Sequence, residues 1–222
     1  MGVLWAFLGS CFDSATTILG YRYWDRTGSA DLGVVYRRQR NLPKAREMAE
    51  KGAEGLVATL GPHQLMSIRY IIELCRTYFD CGLYAEAQAL LEKILKTADE
   101  VLGPDESATL HGRDLLGNIL HARGGLNGAE KLLREVLRMM EQQWGKQGRS
   151  SALIKTHVAD VIVDKGELAE AIELYEGALE TYEGLYGVEH PDTQSVATKL
   201  ASCYSKSGLN GSMDTVTTKY RL

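Results

Sequence analysis

The side chains able to do chemistry in this chain are few, and their spacing decides what chemistry is open to them. His111 and His121 flank Asp114 and Asn118 in "HGRDLLGNILH". Zinc held on a helix wants histidines at i and i+4, which places both rings on one face, and no cysteine or carboxylate stands at the right spacing nearby. "HGRD" at 111–114 has the outline of a phosphoryl-transfer catalytic loop but neither the following Asn nor any companion motif. "RGGLNG" at 123–128 has the glycines of a phosphate cradle, yet it follows no strand and joins two helical patterns. Cys11, Cys75, Cys81 and Cys203 form no C-x-x-C pair and suggest neither a disulfide framework nor a zinc site, so a reducing compartment is expected. No acid pair, nucleophile with its base, or cofactor fingerprint is found, and the chain reads as non-catalytic, without metal or cofactor.

The elements that must position these residues are those of a folded protein: 222 residues, 45% hydrophobic and 24% charged. A net charge of -4 and a pI near 5.8 argue against a nucleic-acid partner, which needs a basic face to exchange counterions with phosphates. The apolar start "MGVLWAFLGSCF" lacks the basic n-region and cleavage site of a signal peptide, and Gly2 is followed by Ala6 where a myristoylation motif wants Ser or Thr. No stretch approaches the roughly 18 apolar residues of a membrane span. These readings predict a cytoplasmic protein with no membrane partner, in which the sequon Asn210-Gly211-Ser212 has no role.

What organises the chain is a period of 42 residues. Gly61, Gly103, Gly145 and Gly187 each follow a large apolar residue, and a second series, Gly82, Gly124, Gly166 and Gly208, runs in step. Between the series, Leu74, Leu116, Val158 and Leu200 recur in phase, as do Cys75, Gly117, Ala159 and Ala201, then Tyr78, Leu120, Ile162 and Tyr204. After the second glycine come Ala87, Leu90, Leu91 and Leu95 and their counterparts, the apolar face of an amphipathic helix. Each unit is therefore a pair of helices, A and B, closed by glycines that take the left-handed conformation at helix ends. Pro104-Asp105 and Pro191-Asp192 are expected to start and cap helix A, with Ser150 or Ser151 capping the third copy. The small residues within the pair are expected where two backbones approach closely.

A weaker copy lies at Leu32, Gly33, Tyr36, Ala45 and Ala53, with Arg40 in place of the turn glycine. The expected organisation is an N-terminal segment over 1–28, a possible remnant of a preceding repeat, and an array over 29–222 in units near 29–61, 62–103, 104–145, 146–187 and 188–222. The last unit, "LNGSMDTVTTKYRL", has a β-branched run that predicts a short helix B. Neither end carries a polar capping unit, so the expectation is a fragment of a longer array or a homo-oligomer formed through open ends.

Leu-small-x-x-Tyr, then Gly, then Ala five residues on resembles the tetratricopeptide repeat, most directly in "LGVVYRRQRNLPKA" at 32–45 and "LASCYSKSG" at 200–208. The 42-residue spacing, with "LGPDESATL" at 102–110 and "YGVEHPDTQ" at 186–194 between units, resembles the kinesin light chain subtype, although residues 1–30 show no heptad coiled coil. It is also similar to the arrays of NB-ARC or NACHT-type signalling ATPases, whose nucleotide motif this chain lacks. The resemblance implies an all-α, right-handed superhelical solenoid of antiparallel helix pairs.

It also implies a protein or peptide partner on the inner face of helix A. Projected on this sequence, that face is Arg69, Ile72, Arg76 and Phe79; His111, Asp114, Asn118 and His121; Leu153, Thr156, Asp160 and Val163; and Ser195, Thr198, Ser202 and Ser205. Asp114 and Thr156 stand where a carboxylate-clamping member of the family would have lysine. The reading that follows is a non-catalytic protein-interaction scaffold, with a ligand-sensing array of an NB-ARC or NACHT-like regulator as the alternative.

Overall fold

A computed structural model describes residues 31–222, and no strand occurs among them. The readings made on residues 1–28 lie outside the described residues. The chain divides into two compact units, Met1–Pro104 and Asp105–Leu222. The first contains α1 (31–38), α2 (Leu42–Leu60), α3 (Leu65–Asp80) and α4 (Tyr84–Val101). The second contains α5 (Ser107–Ala122), α6 (Leu126–Trp144), α7 (Arg149–Lys165), α8 (Leu168–Tyr186), α9 (Pro191–Lys206) and α10 (Asn210–Tyr220). Odd-numbered helices are the A helices of the repeat and even-numbered ones the B helices. Within each unit consecutive helices pack on one another, and α5 also touches α7.

The apolar spacing sets which side of each helix turns inward. In α6 the buried residues are Ala129, Leu133, Val136 and Met140, one stripe at intervals of three and four. Helix α7 buries Ala152, Ile154, Val158, Ala159, Val161 and Ile162 among others, because it packs against both α6 and α8. Each fully buried Leu or Ile contributes about 1.5–3 kcal/mol. The second unit has one continuous core running from Leu110 to Tyr220, whereas in the first a cluster of Ala49, Ala53 and Leu74 is flanked by Ile71, Tyr78 and Leu90.

The turns between A and B helices close by one device. At the end of α7, Gly166 has φ 85° and donates to Val163 O while Glu167 N–H donates to Ile162 O, which satisfies the last free carbonyls of the helix. The same pair of bonds closes α1, from Arg40 to Arg37 O and from Asn41 to Tyr36 O. Arg40 itself adopts φ 60° there.

The expected N-caps need correction. Helix α5 begins at Ser107 after Glu106, and α7 begins at Arg149 after Gly148, neither with a side-chain cap. Ser151 instead donates across the preceding loop to Gly145 O at 2.8 Å. Proline does open α9, but the capping side chain is His190, whose Nδ1 accepts from Asp192 N at 3.2 Å.

The small residues inside the pairs are where helices come closest. A Cβ added at Gly117 of α5 would stand 2.6 Å from Leu133 Cγ and Cδ2 of α6. A Cβ at Gly33 of α1 would lie 3.0 Å from Ala49 N of α2.

Candidate functional site

The A helices of the second unit are joined by side chains into one ladder. Successive A helices are adjacent, so a residue at one repeat position reaches the next helix about 39 or 43 residues on. Between α5 and α7, Asp114 Oδ1 lies 2.6 Å from His157 Nδ1, and His121 Nε2 lies 2.7 Å from Asp164 Oδ2. Asn118 of α5 donates through Nδ2 to Asp114 O at 3.0 Å and to Asp114 Oδ1 at 3.1 Å. Between α7 and α9, Lys199 Nζ meets both oxygens of Asp160, at 2.8 and 2.7 Å. The phenol of Tyr175 reaches from α8 to donate to the same carboxylate at 2.6 Å. Burial and then the Asp160 charge push the Tyr175 phenol far above its ordinary range, so it is a fixed donor.

Beside this ladder lies an open depression of about 250 Å³, lined by Val163, Tyr175, Thr198, Lys199, Ser202, Cys203 and Lys206. It is smaller than sites that enclose small-molecule ligands, which run to about 300–1,000 Å³. The space is on the scale of a single side chain. Burial raises the Cys203 thiol above its ordinary value, with Lys206 acting in the opposite sense, so the sulfur is a packing group there.

The first unit has its own A-helix face. Arg37 of α1 bonds Glu73 at 3.3 Å and Asp80 at 3.1 Å on α3, and Tyr70 donates to Asp31 at 2.8 Å. Arg69 is exposed, Arg76 stands 3.8 Å from Glu73, and Phe79 packs against Tyr84 at 5.4 Å between ring centroids.

Of the residues projected from sequence, Asp114, Asn118, His121, Asp160, Val163, Thr198 and Ser202 enter the ladder or the depression. Ile72 at 4% exposure, Asp114 at 0% and Thr156 at 6% lie beneath the face, so they support neighbours and offer no surface of their own. Thr156 bonds its own helix at Ala152 O, and His111 bonds Ser107 O at 2.6 Å, also within its helix. Ser195 and Ser205 are exposed on α9, while Leu153 and Val163 are partly covered on α7.

The projection missed His157, Lys199 and Glu73, which share one repeat position, and Asp80, Asp164 and Lys206, which share another. The signal was available in the period: those positions carry charged or imidazole side chains in three units out of four. Among the described residues no three His, Cys, Asp or Glu side chains are grouped to hold a metal, and no helix is long and apolar enough to cross a membrane.

Comparison with known proteins places the repeat. A tetratricopeptide repeat model matches residues 66–142 and 150–210, and a second matches 30–64. No curated protein sequence matches the chain. Among solved structures, the nearly identical TPR-like repeats assigned to a kinesin light chain of Podosopora anserina superpose with a TM-score of 0.70 at 21% identity, over 90% of this chain and 94% of that one. A Rap protein complexed with Competence and Sporulation Factor gives 0.78 at 12% identity, over 90% of this chain and 53% of that one. The Rap conjugation gene regulator of plasmid pLS20, complexed with the Phr* peptide, gives 0.74 at 14% identity, over 95% and 55%. This chain thus spans about half the length of the Rap proteins, and at these identities the likeness is one of fold. With the family models covering well over half the sequence and the helix pairs built as their pattern requires, the chain belongs to the tetratricopeptide repeat family.

Proposed function

We propose that the chain is a non-catalytic protein-interaction module that holds a peptide, or an extended segment of a partner protein, on its helix-A face. The observation that carries this reading is the ladder on α5, α7 and α9 with the side-chain-sized depression beside it. Its polar groups are fixed by one another before any partner arrives, which reduces the ordering cost of binding. Membership of the tetratricopeptide repeat family and the fold shared with a Rap regulator solved in complex with the Phr* peptide support the same reading. A cytoplasmic location and the lack of a nucleic-acid or membrane partner belong to this proposal.

The test is selection of binding peptides from a random display library against the full chain, followed by mapping with two variants. Ser202→Trp fills the depression, while Glu180→Trp alters an exposed position on α8. The proposal expects selected peptides to lose affinity about tenfold or more with Ser202→Trp and to ignore Glu180→Trp. Peptides indifferent to both variants would remove the helix-A face as the site.

A second reading is favoured by the two Rap complexes: the array is a sensor in a signalling regulator, whose repeat stack changes pitch when a peptide binds. X-ray scattering of the chain with and without a selected peptide separates the two, since a scaffold keeps its profile.

A further inference from the structure

We infer that Lys206, with Lys199 and Ser202, forms a seat for a carboxylate side chain, an aspartate or glutamate, of the segment bound on the helix-A face. The inference rests on the binding reading proposed above and names the chemistry of one contact within it.

The repeat makes Lys206 an exception. Two positions 43 residues apart meet on successive A helices, a basic group on the first and an acid on the second: Arg37 bonds Asp80 at 3.1 Å, and His121 meets Asp164 at 2.7 Å. The same two positions hold Phe79 with Ala122, and Val163 with Lys206. Of these four, the last alone sets a charge against an apolar side chain, and Val163 and Lys206 both line the depression between α7 and α9. The ammonium group of Lys206 makes no ion pair or hydrogen bond among the described residues. On α7, Asp160 takes Lys199 on both oxygens and the Tyr175 phenol, and Asp164 holds His121. On α8, Glu167 pairs with Lys165, Glu170 with Arg134, Glu176 with Tyr204 and Glu183 with Lys219. Glu173 and Glu180 of α8, Asp192 of α9 and Asp214 of α10 form no ion pair with Lys206.

The lining of the depression has the matching chemistry: two ammonium groups, two hydroxyls and no carboxylate. Thr198, Ser202 and Lys206 are exposed, so their polar groups are open to a partner. Thr198 spends its proton on Gln194 O at 2.8 Å, whereas the Ser202 hydroxyl makes no hydrogen bond among the described residues. Lys199 gives two protons to Asp160 and keeps a third. The unspent groups are therefore donors, two of them on cations, while Val163 and the buried Cys203 supply an apolar wall for a methylene stem. A carboxylate on a short stem suits both parts. A lysine or arginine would meet two like charges. Lys206 also lies in the last turn of α9, where a cation suits the carbonyl end of the helix, and that contact leaves its N–H donors unspent.

The experiment uses the full chain and display-selected peptides that Ser202→Trp blocks. Those peptides should share an aspartate or glutamate. Replacing that acid by its amide should weaken binding to the wild type about fivefold, by an amount that shrinks at high salt, and should leave binding to Lys206→Met unchanged. Lys206→Arg keeps the charge and should keep the preference. Because Lys206 is exposed, both variants retain the fold, which an unchanged circular dichroism spectrum checks. Peptides that need no acid, or whose acid matters equally to the wild type and Lys206→Met, overturn the seat and leave the binding face standing. So do peptides that lose binding only when their C-terminal carboxylate is amidated. If no peptide binds the face, the binding reading falls, and three probes decide the seat by the resonances of the Lys206 Cε methylene and the Ser202 amide: the amides of Nα-acetyl-glutamate and Nα-acetyl-glutamine, and inorganic phosphate. The glutamate probe alone should shift both. A glutamate probe that shifts neither, or a glutamine probe or phosphate that shifts both as strongly, overturns the seat.

Discussion

Arg40 occupies the same left-handed backbone position as Gly82, one repeat further along: φ is 60° at the arginine and 76° at the glycine, and the flanking hydrogen bonds match. Holding a residue with a Cβ in this region costs about 1–2 kcal/mol, part of which glycine gives back through the freedom of the unfolded chain. Arg40→Gly should therefore raise stability by about 0.5–1 kcal/mol, read as a higher urea midpoint with an unchanged slope. A midpoint that stays put or falls would mean that the arginine side chain makes up for its backbone.

Gly117→Ala should destabilise the second unit by about 1–3 kcal/mol, because the new methyl would sit 2.6 Å from Leu133, which is wholly buried and cannot swing aside. The double variant Gly117→Ala, Leu133→Val should recover part of the loss. Gly177, inside α8 with nothing within 4 Å of a Cβ, is the opposite case. There alanine should stabilise by up to about 1 kcal/mol through helix propensity alone. Equal effects at the two glycines would contradict the packing argument.

The contrast between those glycines shows what the sequence made legible. Period and apolar spacing placed every helix pair from Leu32 onward, because burial is a matter of residue type at a fixed offset and the same offset recurs. It also marked Gly117 as a close approach, since its counterparts Cys75, Ala159 and Ala201 are small. The polar ladder was only half visible. Asp114 and Asp160 stand on positions that a helix-A face selects, but their partners His157 and Lys199 come from the neighbouring helix, and which residue meets which depends on the stagger between helices. The starts of α5 and α7 were unreadable for a related reason: loop geometry lets Ser151 bond Gly145 O in place of capping.

Stability should hold to about pH 10 and then fall towards pH 12. Tyr78, Tyr182 and Tyr204 have phenols pushed up to about 12, in each case first by burial. Glu50 and Glu176, which accept the bonds from Tyr78 and Tyr204, add to it in those two cases. In the unfolded chain a phenol ionises near 10, so a raised folded value contributes stability that is complete below pH 10 and is lost as pH climbs through the folded value. Tyr182 makes no hydrogen bond among the described residues, so Tyr182→Phe should cost little at pH 8 and flatten the alkaline fall in urea midpoints. An identical pH profile for wild type and variant would count against the shift.

At the other end of the scale, Glu183 ties down the last helix. It accepts from Lys219 Nζ at 2.9 Å and from the Tyr220 phenol at 2.6 Å, and these two bonds hold its carboxyl below the usual value of 4.5. Gln194 adds a clamp from α9 by donating to Tyr220 O at 2.8 Å. Helix α10 is only 11 residues long and buries little besides Tyr220, so these few bonds decide whether it stays docked. A depressed carboxyl contributes stability that is present above its unfolded pKa and lost as pH drops through its folded one. Amide exchange in α10, corrected for the intrinsic rate, should therefore quicken below about pH 4.5 while the buried amides of α7 hold. Glu183→Gln should bring the faster exchange to neutral pH, by a factor of roughly two to five for hydrogen bonds of this kind, and abolish its pH dependence. If α10 exchanges at the same rate in both proteins, the helix is held by the packing of Tyr220 alone, and Tyr220→Ala becomes the change that releases it.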